Sequence, residues 1–403
     1  MQIDISPGKV LMVKGPASVI SVEGEMSTLG TNLGGGKVLV RHGKILPFEC
    51  VNPARAIITL GSYASYSFSY EKVGIKIWKD VVKSIETSRP RKIVLLGGTD
   101  SGKSTLTVYL ANLAHRRGDR VGIVDGDVGQ SDLVPPTCVG ATKIDHPLTD
   151  LRDIEAERIE FVGSTSPQNI ENLVVEKIQK LTNYLESKDC NHLIINTDGL
   201  VGKEGADYKS QLVAGLNPDF IVCIKGETSE LYDRLVKTHG TNKTLIVDGP
   251  EGVSKARAER VERRLLQYRR FLLGSKSVTA NFHDVNLSFL GKDFVKPLKV
   301  NQGIAKTTFE GETLRFVAST WIMIRIIRSS GSITFPSNHI HGMFVGLSLG
   351  REIIGFGLVE ELYPDGRLLI QTPVIDNFDT LHLSTSRLLD GMTKEETLET
   401  LLI

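Results

Sequence analysis

Gly97-Gly98-Thr99-Asp100-Ser101-Gly102-Lys103-Ser104 fits the spacing G-x-x-x-x-G-K-[ST]. Glycines at these places let backbone N–H groups turn inward around phosphate oxygens. The apolar run "KIVLL" precedes the motif, and Leu106, Leu110 and Leu113 follow it at helical spacing. A strand, a loop and a helix N-terminus are therefore predicted to meet where an anion is welcome. Lys103 is expected to reach the β and γ phosphates of a nucleoside triphosphate, and the Ser104 hydroxyl to hold Mg²⁺. Thr105 completes the predicted nucleotide cradle. An ordinary Gly-rich turn is the bland alternative, and motif and context together speak against it. The acceptor of any phosphate is left open.

Four further segments carry candidate chemistry. In "VGIVDGDVGQSD", Asp125 and Asp127 stand at the end of an apolar run, with Gly126 and Gly129 allowing a tight loop. A carboxylate here can bind Mg²⁺, directly or through water, or accept a proton from an attacking hydroxyl. Asp127 is the preferred base and Asp125 the preferred metal-shell group, with Asp127 also within the metal set. Turn formation is the bland alternative. Asp198, in "INTDG", is a rival metal-shell carboxylate.

In "FVGSTSPQNIENLVVEKIQKL", Ser166 reads as an N-cap and Pro167 as the first helical residue. Thr165, Ser166 and Gln168 would then sit at a helix N-terminus suited to a phosphate, or serve as caps alone. "SKARAERVERRLLQYRRFLLG" carries seven Lys or Arg against two Glu. Arg257, Arg260 and Arg264 recur on one helical face, opposite Val261, Leu265, Tyr268 and Leu272. Such a helix could close over phosphates as a lid and stabilise transferring charge, or be a solvated charged face.

These pieces need a scaffold. Residues 1–87 read as β-rich, with short β-branched runs between Gly and Pro turns; "ETSRPRK" reads as a linker. Five apolar runs follow ("KIVLLGG", "RVGIVDGD", "HLIINTDG", "DFIVCIKG", "TLIVDG"), separated by helical patterns. Continuous apolar strands between helices predict a parallel sheet covered on both faces, with ligands at its carboxyl edge. The predicted fold is α/β: a central P-loop domain over 88–284, flanked by the N-terminal β-rich domain and a C-terminal β-rich domain over 285–403.

The 403 residues are 40% hydrophobic and 24% charged, with a net charge of +1. Sizeable cores are expected, and any nucleic-acid surface must be local. The four cysteines form no CxxC and read as buried thiols in a reducing cytoplasm. The N-terminus lacks the apolar core of a secretory signal, and no run of 18 apolar residues suggests a membrane span. His339 and His341 share a strand face in "NHIHG", but no carboxylate or Cys pattern completes a metal site.

The cradle "GGTDSGKST", the loop "DGDVGQ", the turn "GSTSPQ" and the Arg-rich helix, in that order, resemble the polynucleotide 5′-hydroxyl kinases. That family includes a subunit of the eukaryotic pre-mRNA 3′-end cleavage machinery, the tRNA-splicing RNA kinase and archaeal relatives. The resemblance is close over the central domain and only a pattern in the flanks. It implies transfer of the ATP γ-phosphate to the 5′-hydroxyl end of RNA, with DNA also admitted, and RNA-processing proteins as partners. Lys103 and Ser104 would match the phosphate and Mg²⁺ residues, and Asp127 the acid that activates the hydroxyl. Thr165, Ser166, Pro167 and Gln168 would match the clasp on the acceptor's first phosphate, joined by Gln130 and Arg257. Arg260 and Arg264 would be the lid arginines. Where some members carry a base-stacking aromatic after "DG", this chain has Leu200, and Tyr208 is a candidate to compensate. An ATP-binding scaffold with little turnover, a P-loop NTPase and a small-molecule kinase stay open as alternatives.

Overall fold

The computed structural model describes residues 1–69, 77–250, 256–281, 284–294, 300–301, 304–309, 312–317, 323–328, 331–335, 341–363 and 367–397. The chain forms two compact units. One comprises Met1–Asp127, Gly140–Glu157 and Ile178–Arg263; the other comprises Val128–Val139, Arg158–Lys177 and Arg264–Ile403.

In the first unit the five apolar runs become the strands Lys92–Leu96, Val121–Gly126, His192–Thr197, Phe220–Ile224 and Thr244–Val247. All pair in parallel, and the Lys92 strand lies between the His192 and Phe220 strands. Both faces are covered, so every residue of His192–Thr197 and Phe220–Ile224 is buried. That double burial is why these strands read as unbroken apolar runs. The strand Cys138–Lys143 was not among the expected runs; it pairs antiparallel to Val121–Gly126. Register places Leu95 and Asp125 on either side of Asn196. Three strand ends therefore present their chemistry at one edge.

The N-terminal strands form a four-stranded and a five-stranded sheet. Their core is continuous with that of the phosphate-loop domain, with Val13, Phe48 and Ile58 in one cluster with Leu106 and Leu110. The helix Lys103–Arg116 is clamped by Asn112, whose amide donates to the Leu29 and Leu148 carbonyls at 2.8 and 2.7 Å. Its Oδ1 accepts the Leu148 N–H in return. The helix Lys79–Ser88 takes the first residues of the expected linker and ends at Arg89, whose φ is 45°.

The second unit holds an antiparallel sheet with one parallel pairing, between Asn286–Phe289 and Thr380–Leu389. It includes Met343–Leu349, Glu352–Leu362 and Arg367–Thr372, within the C-terminal region expected to be β-rich. Leu287, Val345, Leu347, Ile370 and Leu381 fill its core. A separate five-stranded sheet includes the strands Met323–Arg328 and Gly331–Phe335.

Candidate active site

The phosphate loop follows the buried strand Lys92–Leu96 and opens the helix Lys103–Arg116. Gly102, at φ 95°, has no room for a side chain: a Cβ would lie 2.9 Å from Pro250. Asp100 also adopts a left-handed backbone, at φ 58°, a conformation that Asp tolerates better than most residues. Lys103 is buried, and its Nζ donates to the Gly97 and Gly98 carbonyls, both at 2.7 Å. Burial lowers its pKa to about 8, with the Asp127 carboxylate as the largest opposing influence. Asp127 is thus within electrostatic reach of the predicted phosphate-binding lysine.

Asp125 is fully buried. It accepts a hydrogen bond from Asn196 Nδ2 at 2.8 Å, and the same nitrogen lies 3.5 Å from Ser104 Oγ. Asn196 links two of the predicted metal-shell residues, Ser104 and Asp125, and sequence reasoning did not single it out. Asp198, the rival, is otherwise engaged. Its Oδ2 accepts from Lys209 Nζ at 2.8 Å and Tyr208 OH at 2.7 Å, and its Oδ1 from the Leu200 N–H at 2.9 Å. Tyr208 is only 3% exposed, so its ring cannot stack on a base; the expectation that it replaces the missing aromatic is corrected.

The helix Arg257–Phe271 bears out the Arg-rich segment, with Leu265 and Tyr268 buried. Its arginines differ. Arg257 is exposed. In the first unit, Arg260 reaches Asp100 of the phosphate loop at 3.2 Å. In the second, Arg264 grips the buried carboxylate of Glu395 with contacts of 2.7 and 3.0 Å.

Thr165, Ser166, Pro167, Gln168 and Gln130 lie in the second unit. The helix there begins at Glu171, not at Pro167. Ser166 Oγ accepts the Gln168 N–H at 3.3 Å inside a turn, and Asn169 takes φ 67°. Glu171 Oε1 accepts the Asn169 N–H at 3.1 Å, so an acid already occupies the first turn and offsets its positive end. Gln130 Nε2 donates to the Gly129 carbonyl at 3.0 Å. His339 lies outside the described residues; His341 donates from Nδ1 to the Glu360 carbonyl at 2.8 Å.

The cradle suits a phosphate. Ser101 Oγ is buried without a hydrogen-bond partner, and a Cβ at Gly98 would enter open space. For a cation, Ser104 and Asp125 offer hard oxygens, and the buried Asn196 Oδ1 has no partner. One carboxylate and a hydroxyl, with phosphates and water completing the shell, is a donor set that suits Mg²⁺. Among the described residues, no group of three His, Cys, Asp or Glu side chains gathers as an all-protein metal cage. Nor is any described helix long and apolar enough to cross a membrane.

Residues 97–274 match the family described as the P-loop of the mRNA cleavage and polyadenylation factor CLP1. A polyribonucleotide 5′-hydroxyl-kinase of Pyrococcus horikoshii is 27% identical over 303 residues, covering 72% of this chain and 82% of that protein. One of Methanocaldococcus jannaschii is 32% identical over 201 residues, 50% of this chain and 55% of that protein. Protein CLP1 homolog of Arabidopsis thaliana is 27% identical over 190 residues, 44% and 42% of the two chains. The solved structure of wild-type Clp1p in its complex with Pcf11p superposes with a TM-score of 0.71 at 15% identity, covering 97% of this chain and 98% of that one. That likeness bears out the fold: a P-loop domain flanked by β-rich regions.

Proposed function

We propose, from the chain's kinship with the polynucleotide 5′-hydroxyl kinases, that it transfers the γ-phosphate of ATP to the 5′-hydroxyl end of RNA, with DNA as a second acceptor. The observation that carries this reading is the phosphate loop itself, where the buried Lys103 Nζ is held on the Gly97 and Gly98 carbonyls at the start of the helix Lys103–Arg116. The loop binds the triphosphate through its N–H groups and Lys103. Asp127 takes the proton as the 5′-oxygen forms its bond to the γ-phosphorus. The bond between that phosphorus and the bridging oxygen breaks, and ADP leaves. Arg260 contributes positive charge, as would Arg264 once released from Glu395. Ser104 and Asp125, with Asp127 nearby, would hold Mg²⁺, which supplies charge neutralisation at the β and γ phosphates. Positioning and electrostatics account for most of the catalysis.

Thr165, Ser166, Pro167 and Gln168, with Gln130 and Arg257, are the acceptor-strand residues in this reading. Functionally the chain divides into 1–87, 88–284 and 285–403. RNA-processing proteins are the partners, and the four free cysteines fit a cytoplasmic setting. The deciding experiment offers γ-labelled ATP and a 5′-hydroxyl oligoribonucleotide to the purified chain and to Asp127→Ala. Label should move to the oligonucleotide with the native chain alone, while both bind ATP. No labelled product from the native chain would leave an ATP-binding scaffold.

A further inference from the structure

Lys209, on the helix Ala206–Leu216, is wholly buried. Its Nζ and the Tyr208 hydroxyl converge on Asp198 Oδ2, and the Lys209 ammonium also lies 4.4 Å from the Tyr208 ring centroid. Asp198 Oδ1 meanwhile fixes the backbone N–H of Leu200. Both carboxylate oxygens are held, so the turn Asp198–Leu200 has no freedom to swing. Charge-assisted hydrogen bonds of this kind are about twice as strong as neutral ones.

The turn rests against the phosphate loop. A Cβ at Gly199 would lie 2.4 Å from Thr99 Oγ1 and 2.7 Å from the Thr99 nitrogen. Any displacement of Gly199 toward the loop must displace Thr99 as well. A buried pair gives little net stability, since desolvation opposes its attraction; stability alone is a weak reason to keep one here.

We propose that Lys209 is a positioning residue for phosphoryl transfer: it pins the Asp198–Leu200 turn, and through Gly199 holds the Thr99 side of the phosphate loop in its reacting arrangement. The kinetic consequence rests on the kinase reading; the structural consequence does not. A misplacement of about 1 Å can cost on the order of 10²-fold in rate.

The test uses Lys209→Met and the pair Asp198→Asn with Lys209→Met. The double variant strands no buried charge and keeps an acceptor for the Leu200 N–H. Thermal melting, hydrogen exchange of the Thr99–Ser101 amides, and kcat and KM with ATP and a 5′-hydroxyl oligoribonucleotide are measured for each. Lys209→Met should melt lower, and the double variant should regain most of the loss. Both should exchange Thr99–Ser101 about tenfold faster or more. Both should lose roughly 10- to 100-fold in kcat, with the oligonucleotide KM nearly unchanged. If the double variant recovers kcat and protection together with its melting temperature, Lys209 is an ordinary structural ion pair and the proposal falls. Exchange is read without acceptor, so a native chain inert toward oligonucleotides would sink the kinase reading while exchange still decides on Lys209. Should Lys209→Met not fold, the double variant carries the test.

Discussion

Asn196 donates to Asp125 at 2.8 Å across two neighbouring parallel strands, and the same amide faces Ser104. The carboxylate fixes which end of the amide it meets, because an oxygen turned toward it would repel. Asn196 therefore orients two of the groups that would hold the cation. Removing one partner of a buried polar pair costs about 1–3 kcal/mol. Asn196→Ala should lose that much in urea unfolding and need more Mg²⁺ for half-maximal phosphate transfer. Asn196→Asp places a second carboxylate beside the first; it should be less stable still without Mg²⁺ and recover partly when Mg²⁺ is added. Unchanged Mg²⁺ titrations for both variants would remove Asn196 from the site.

Arg260 meets Asp100 at 3.2 Å, so the arginine proposed for the lid is held by a carboxylate of the phosphate loop itself. The pair is partly exposed, at 30% and 11%, and such pairs contribute up to about 1 kcal/mol. Asp100→Asn should weaken this hold on the guanidinium, keep the left-handed backbone that Asn tolerates, and raise kcat/KM for ATP by up to about fivefold. Arg260→Ala should lower kcat by roughly 10²-fold or more, as expected for a group that meets charge only in the transition state. Equal losses of ATP affinity and kcat in Arg260→Ala would mean ground-state binding instead.

The parts of this site that were legible in the sequence are those set by local pattern. The cradle shows itself because glycines, Lys103 and Ser104 fall within one loop. The five parallel strands show themselves because burial on both faces leaves only apolar residues between the turn signals. What was hidden depends on residues distant in the chain. Nothing near Arg264 announces Glu395, which binds it across 131 positions. Asp198 looked like a metal ligand because its partners Tyr208 and Lys209 come from the next helix. "CVGATK" has neither alternation nor a long apolar run, yet it pairs as a strand because Val121–Gly126 offers an open edge. At Ser166-Pro167 the capping signal was real but served a turn, and Asn169, in a left-handed conformation, delays the helix to Glu171.

His192 opens the central strand His192–Thr197 and is 3% exposed, with Nε2 lacking a partner. Burial, helped by the nearby Arg117 guanidinium and opposed by Asp119, lowers its pKa from 6.5 to about 4. Between those values the unfolded chain binds a proton that the native chain refuses. Stability therefore falls as pH drops from 6.5 toward 4 and is unaffected by this group above that range. At 1.36 kcal/mol per unit, the loss is of the order of 3 kcal/mol. His192→Gln should flatten this limb when melting temperature is followed against pH. An identical slope in both proteins would place the acid sensitivity elsewhere.

Leu200 is half-buried on the turn that Asp198 fixes, beside the loop that would hold the triphosphate. Tyr208, the nearest aromatic in sequence, is buried and bonded to Asp198. On the kinase reading the acceptor's terminal base passes this turn with only an aliphatic side chain to meet it. A stacked base is worth about 1–3 kcal/mol, so Leu200→Trp should lower the oligonucleotide KM by roughly 5- to 150-fold. The gain should be largest for acceptors of a few nucleotides, where one stack is a large share of the binding energy. ATP affinity should move far less than the oligonucleotide KM, because a stacked base adds binding energy to the acceptor alone. A substitution that leaves the KM of short acceptors unchanged, in a folded and ATP-binding protein, would mean that the acceptor strand does not run past this turn.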